Sequence, residues 1–271
     1  MLLLFLTIAL SCIRDSMDGC PYYLRFSYIF NMDGTERFPS EVKAVSVMVL
    51  DDAGHKVYEK TETDSIKLSD PSYRMELPPE LRGMKAIVWA GIMDRDYELT
   101  SDFGVRLSTD AGLYIAPLWH GGPVTLGEEP YVRTDTVSLI RTTNTIRVFL
   151  DGNQGDTPPA MWIEADNTVC GPDHTVIHSG GHAWQPYHAA TDSTCFSVMR
   201  LTEDMTVILH VAGLPDIELI KYFLSSCPAG MSGEEYLDRE HVWTVRIGWN
   251  GSLVTYLTVN GWTIWFHDQS L

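Results

Sequence analysis

Apolar and polar residues alternate with a period of two along most of this chain, and the alternation stops at clusters of Gly, Pro, Asn and Asp. Side chains of a strand point alternately to its two faces, so this period predicts half-buried β-strands. From Tyr22 to Phe30, Tyr22, Leu24, Phe26, Tyr28 and Phe30 fall on one side. Val42–Leu50 and Lys56–Thr61 flank Asp51-Asp52-Ala53-Gly54, which predicts a hairpin with Gly54 at positive φ. Tyr73–Leu77 and Lys85–Gly91, separated by Pro78, Pro79 and Gly83, read as another pair. Val137–Leu150 reads as one long strand, ended by Asp151-Gly152-Asn153-Gln154-Gly155, and the stretch through Pro158-Pro159 is the expected boundary between halves.

The second half repeats the texture at Ala160–Ala165, Cys195–Leu201, Met205–Ala212 and Ile217–Ser225. It closes with Val242–Trp249, Leu253–Val259 and Trp262–His267, joined by Asn250-Gly251 and Asn260-Gly261. Asn-Gly between alternating runs is a strong hairpin signal, because both residues accept the positive φ of a type I′ turn. No stretch keeps a helical period long enough to outweigh the strand reading. The expectation is an all-β chain of two tandem β-sandwich domains of about 130 residues each, over 21–155 and 156–271.

The amino terminus follows a different rule. Met1–Leu10 is an apolar run, too short for the ~20 residues that span a bilayer and followed by Ser11 and Cys12. An apolar segment ending in small residues has the form of a secretory signal, and Ala9-Leu10-Ser11-Cys12 resembles a bacterial lipobox, whose cysteine receives a diacylglycerol and becomes the first residue. Residues 1–11 are then expected to be a lipoprotein signal, and 12–20 a lipidated tether of mostly small and polar residues.

Composition changes the picture in two places. The 36 acidic against 19 basic residues give a net charge of −17, which repels phosphate backbones and disfavours nucleic-acid binding. With Cys12 assigned to lipid, Cys20, Cys170, Cys195 and Cys227 allow three disulfide connectivities, and their spacing fits no zinc site. His174, His178, His182 and His188 have metal-like spacing, but Gly180, Gly181 and Pro186 break any helix there, so a solvated loop is expected. Trp119-His120-Gly121-Gly122, between Pro117 and Pro123, reads as a structural turn, and GxSxG and phosphate-loop glycine patterns are absent. Trp243 and Trp249 share parity and are expected in the core. No catalytic, cofactor-binding or metal-binding residue is assigned.

The chain also resembles a known family, the fimbrial anchoring subunits of type V pili, of the FimB and minor-fimbrium anchor type. The resemblance rests on Cys12 in its lipobox, Cys20-Pro21 leading into Tyr22–Tyr28, Asn31-Met32, Phe38–Val42, and the Val45–Gly54 strand and turn. It continues through Val88-Trp89-Ala90-Gly91, Leu139–Val148 with Thr142-Thr143-Asn144, Glu235–Arg239 and Val259-Asn260-Gly261-Trp262. It implies two transthyretin-like sandwiches, no enzyme activity, no cofactor, anchoring in the outer membrane through Cys12, and a fimbrial shaft subunit as partner. The contact expected is strand addition at Trp262, Thr263, Ile264, Trp265, Phe266 and His267. The alternative is a surface lipoprotein that binds glycans. Cells fed a labelled fatty acid should incorporate it into this chain, and Cys12→Ala should abolish the label.

Overall fold

The computed structural model describes residues 21–30, 33–92, 95–128, 134–152, 159–178, 180–190, 192–250 and 253–266. Cys12, Cys20 and His267 lie outside them, as does the expected boundary at 153–158. The β expectation holds, because strands supply most of the regular structure.

In the first half, a three-stranded sheet ordered Thr134–Ser138, Tyr22–Ser27, Met75–Leu77 faces a five-stranded one. The latter runs Ile140–Arg141, Trp119–Thr125, Lys85–Ala90, Val45–Leu50, Lys56–Glu62. Between them Tyr22, Leu24 and Phe26 pack with Val45, Val47, Val49, Val88 and Trp119, so the alternating residues bury as their period requires. The predicted hairpin forms, with Val45 opposite Glu62 and Val47 opposite Lys60. Met75–Leu77 does not pair with Lys85–Ala90 but crosses to Tyr22–Leu24. A pairing that skips a neighbour leaves no local mark in sequence. Trp119-His120-Gly121-Gly122, expected as a turn, instead lies in a strand, Trp119–Thr125, whose register shifts between Gly121 and Val124.

In the second half, a six-stranded sheet runs His188–Ala189, Ser193–Met199, Thr143–Asp151, Val242–Trp249, Val254–Val259, Trp262–Trp265. It stacks on a four-stranded sheet of His182–Trp184, Met161–Ala165, Val207–Val211 and Ile217–Glu218, with Ile146, Val148, Val245, Ile163 and Leu209 fully buried between. The stretch read as one strand over 137–150 is three: Thr134–Ser138, Ile140–Arg141 and Thr143–Asp151, each in a different sheet. Sheet membership therefore changes at Thr142. Thr142 is fixed there by its backbone N–H and its hydroxyl, both donating to the Leu118 carbonyl at 2.7 and 3.0 Å.

Besides single turns at Phe38–Glu41 and Ser65–Leu68, two seven-residue helices stand among the described residues where alternation predicted strand or nothing. Ile217–Ser225 is strand only to Glu218, then helix Leu219–Ser225, whose buried Leu219, Ile220, Tyr222 and Phe223 lie on one face. Helix Gly233–Arg239 begins at Ser232, whose hydroxyl accepts from the Glu235 N–H at 3.2 Å. Ser232 three residues before Glu235 is a capping-box signature, so this helix had a sequence mark after all. Phe223 stacks on Trp243 at 4.2 Å between ring centres, with Tyr236 edge-on at 5.3 Å. Trp243 is fully buried as expected, while Trp249, beyond the register shift at Gly248, is only partly so.

The first half has a core of its own, and the core of the second half extends into it. Met48, Ile87 and Trp89, on the far side of the five-stranded sheet, join the buried set of the second sandwich. A small sheet pairing Val105–Leu107 with Val169–Cys170 ties them further. His120, His174 and Arg200 meet at this junction. The His120 and His174 rings lie 5.2 Å apart, and Arg200 makes a two-pronged pair with Asp238 at 2.8 and 3.0 Å. His174 is therefore partly buried, with its Nε2 out of reach of solvent, and the His174–His188 segment is not the solvated loop expected along its whole length. Cys170, Cys195 and Cys227 are free thiols.

Burial holds three histidines neutral. His120 is pulled down to about 4, helped down by Arg200 although the Pro172 carbonyl and Asp173 pull the other way. His174 falls to about 2, with Arg200 and His120 adding to the burial, and His241 to about 3, with Arg141 adding. An unfolded histidine titrates near 6.5, so in acid the unfolded chain binds more protons than the folded one. The stability these groups hold is complete above about pH 6.5 and is lost as pH falls. Denaturant titrations should show a loss approaching about 2 kcal/mol per histidine by about pH 5; an unchanged midpoint would contradict neutral burial.

Candidate functional site at the open sheet edge

Trp262–Trp265 is the last strand of the six-stranded sheet and pairs on one side only among the described residues. The tight turn Asn260-Gly261 before it, with φ of 47° and 88°, sets its register so that Val259 faces Trp262 and Leu257 faces Ile264. The Phe266 N–H donates inward to the Thr255 carbonyl at 3.0 Å. Donors alternate in direction along an antiparallel strand, so Thr263 and Trp265 turn their N–H and C=O groups outward, to the free side. Such a row is a template for another strand.

The side chains sharpen the picture. Directly opposed residues share a face, so Trp262 lies on the core side beside fully buried Val259, yet Trp262 is 58% exposed. The core layer thus reaches the edge with an uncovered indole. On the outer face Trp265, 62% exposed, leans on Tyr256 at 5.1 Å. The Tyr256 hydroxyl donates to Asp151 at 2.7 Å, and Arg246 pairs with the same carboxylate at 2.9 Å. Thr263 meets Thr258 through their hydroxyls at 3.0 Å, and Phe266 sets its ring against Tyr222.

The expected contact residues Trp262, Thr263, Ile264, Trp265 and Phe266 thus form one edge, while His267 and the lipidation candidate Cys12 lie outside the described residues. The four spaced histidines do not converge. His174 packs on His120, His178 bonds Asp166 at 3.1 Å, His182 packs on Trp184, and His188 pairs with Cys195. Among the described residues no cluster of His, Cys, Asp and Glu could hold a metal, and no helix is long and apolar enough to cross a membrane. A cavity of 290 Å³ beside Arg141 and His241 gathers Glu235 and Asp238, but these are engaged by Arg239 and Arg200.

The fold is a mostly β protein of stacked sheets with, among the described residues, an unpaired, aromatic-flanked strand at one edge. The chain belongs to the fimbrillin-A associated anchor proteins Mfa1 and Mfa2, whose family model matches residues 17–268. A Bacteroides thetaiotaomicron structure provisionally described as polysaccharide-binding is 25% identical, with a TM-score of 0.78 over 93% of this chain and 100% of that one. A provisional adhesin of the same species has 23% identity and a TM-score of 0.77 over 92% and 99%. The fimbrial anchor protein Mfa2 of Porphyromonas gingivalis has 16% identity and a TM-score of 0.69 over 92% and 100%. The last two likenesses show the fold alone. A comparison with curated proteins finds no match.

If the edge is a surface rather than core, Trp262→Lys should change unfolding free energy by under about 0.5 kcal/mol. Val259→Ala across the ladder should cost about 2 kcal/mol. Urea melts of the two variants check this.

Proposed function

We propose that the chain is the lipid-anchored base subunit of a fimbrium, attaching the shaft to the outer membrane by accepting or donating a strand at Trp262–Trp265. The observation that carries this reading is the outward main chain of Thr263 and Trp265 beside a core-side Trp262 left open. An added strand gains main-chain hydrogen bonds for affinity, and alternating side-chain pockets fix its register. Family membership supports the fimbrial setting. Cys12 in its lipobox supports the anchor, since each buried acyl CH₂ is worth about 0.8 kcal/mol and more than one chain makes attachment stable.

A second reading, glycan binding at the surface, draws on the outward Trp265–Tyr256 pair and on the polysaccharide-binding description of one similar structure. The two readings separate on the strand itself. Thr263→Pro removes an outward N–H while leaving the bonded ladder intact. In cells expressing it, fimbriae should appear in the medium with the anchor still on the envelope. Fimbriae retained as in the parent, with polysaccharide binding lost in Trp265→Ala, would favour the second reading.

A further inference from the structure

The outer face of the three-stranded sheet carries an arrangement that strand docking does not use. Leu24 pairs with Met75 and Tyr23 with Glu76, and one further step of that register sets Arg25 opposite Arg74. Like charges directly across a strand pair are destabilising. Neither guanidinium forms an ion pair or a hydrogen bond among the described residues, in a chain where acids outnumber bases 36 to 19. The two arginines line a groove of 690 Å³ with Pro71, Ser72 and Thr134. In the parallel pairing Thr136 stands opposite Arg25 and is exposed, which adds a further hydroxyl to this face.

The groove is held in shape. Arg74 lies over the Tyr23 ring with its guanidinium carbon 4.5 Å from the ring centre, so part of its rotamer entropy is already lost. The nearby acids are committed elsewhere or stand aside. Glu36, whose charge is felt by Arg25, accepts from the Tyr28 and Phe38 N–H groups, and Asp70 accepts from Ser72. Glu76 shares the face without an ion pair to either arginine among the described residues.

We propose that Arg25 and Arg74 form a binding site for a phosphate group, with Thr134 and Thr136 supplying hydroxyl donors. Paired guanidinium groups match the geometry of phosphate oxygens, and an anion between them relieves their mutual repulsion. Phospholipid headgroups and soluble phosphate share this chemistry. Arg25 stands on the first described strand, 13 residues after Cys12, so covalent geometry limits it to about 45 Å from an acylated terminus.

The test uses the full chain carrying Cys12→Ala, so that no acyl group holds it to lipid. Inorganic phosphate is titrated while the Arg25 and Arg74 side-chain resonances are followed, and flotation is measured with phosphatidylcholine vesicles with and without phosphatidylglycerol. Saturable shifts at both arginines, weakened at least tenfold (a change of about 1.4 kcal/mol) in Arg25→Gln/Arg74→Gln, are expected. Flotation with phosphatidylglycerol vesicles that the same variant loses assigns the phosphate to lipid, and phosphate shifts without flotation assign it to a soluble source. Absence of both, or an equal loss in the charge-matched Lys43→Gln/Lys85→Gln variant, overturns the proposal.

Discussion

The parallel pairing of Thr143–Asp151 with Val242–Trp249 is the interaction on which the rest depends. Seven residue pairs, from Thr145–Val242 to Asp151–Gly248, join the strand leaving the first sandwich to one near the carboxyl end. Parallel strands need a long crossover, and here the crossover carries the four-stranded sheet and both helices over the core. Trp243 seals it: its ring lies between Phe223 and Tyr236, and its N–H donates to Asn144 at 3.2 Å. The hairpin that ends at the open edge is laid onto this pair. Its backbone is therefore fixed relative to the sandwich, and force applied there enters the sheet through a continuous hydrogen-bonded ladder.

That force has a defined way out. From Thr143 the chain passes back through Thr142, pinned on Leu118, into the five-stranded sheet and then to the first strand at Tyr22. Met48, Ile87 and Trp89 bind the two sandwiches through one buried set, so the junction is packed rather than hinged. The Arg200–Asp238 pair and the neutral histidines sit within it. Under the proposed function, load would pass through this packed joint. The same burial makes the joint sensitive to acid, because protonating His120 or His174 places charge beside Arg200.

The strand content was legible because period two is local. Tyr22–Ser27, the Val45–Glu62 hairpin and the Asn260-Gly261 turn each follow from adjacent residues. What escaped was non-local or short. Met75–Leu77 pairs with a strand far upstream, and seven-residue helices are too short for their period to show against apolar alternation. Leu219, Ile220, Tyr222 and Phe223 betray a helical face only once burial is known, whereas Ser232 and Glu235 carried a capping signature that period-two reading passes over. The candidate edge was legible as a strand, but its exposure was not: Trp262 shares its side with Val259, and only the absence of a further described strand beyond it leaves the indole open. The paired arginines were equally hidden, because Arg25 and Arg74 meet through the pairing that the sequence concealed.

The most direct measurement of the central claim is photo-crosslinking in fimbriated cells from a reactive residue placed at Thr263, compared with one at His188 on the opposite edge of the same sheet. Docking at the Trp262–Trp265 edge predicts a covalent adduct with a shaft subunit from position 263 and none from position 188. An adduct from 188 alone, or from neither position while fimbriae remain attached, would contradict it.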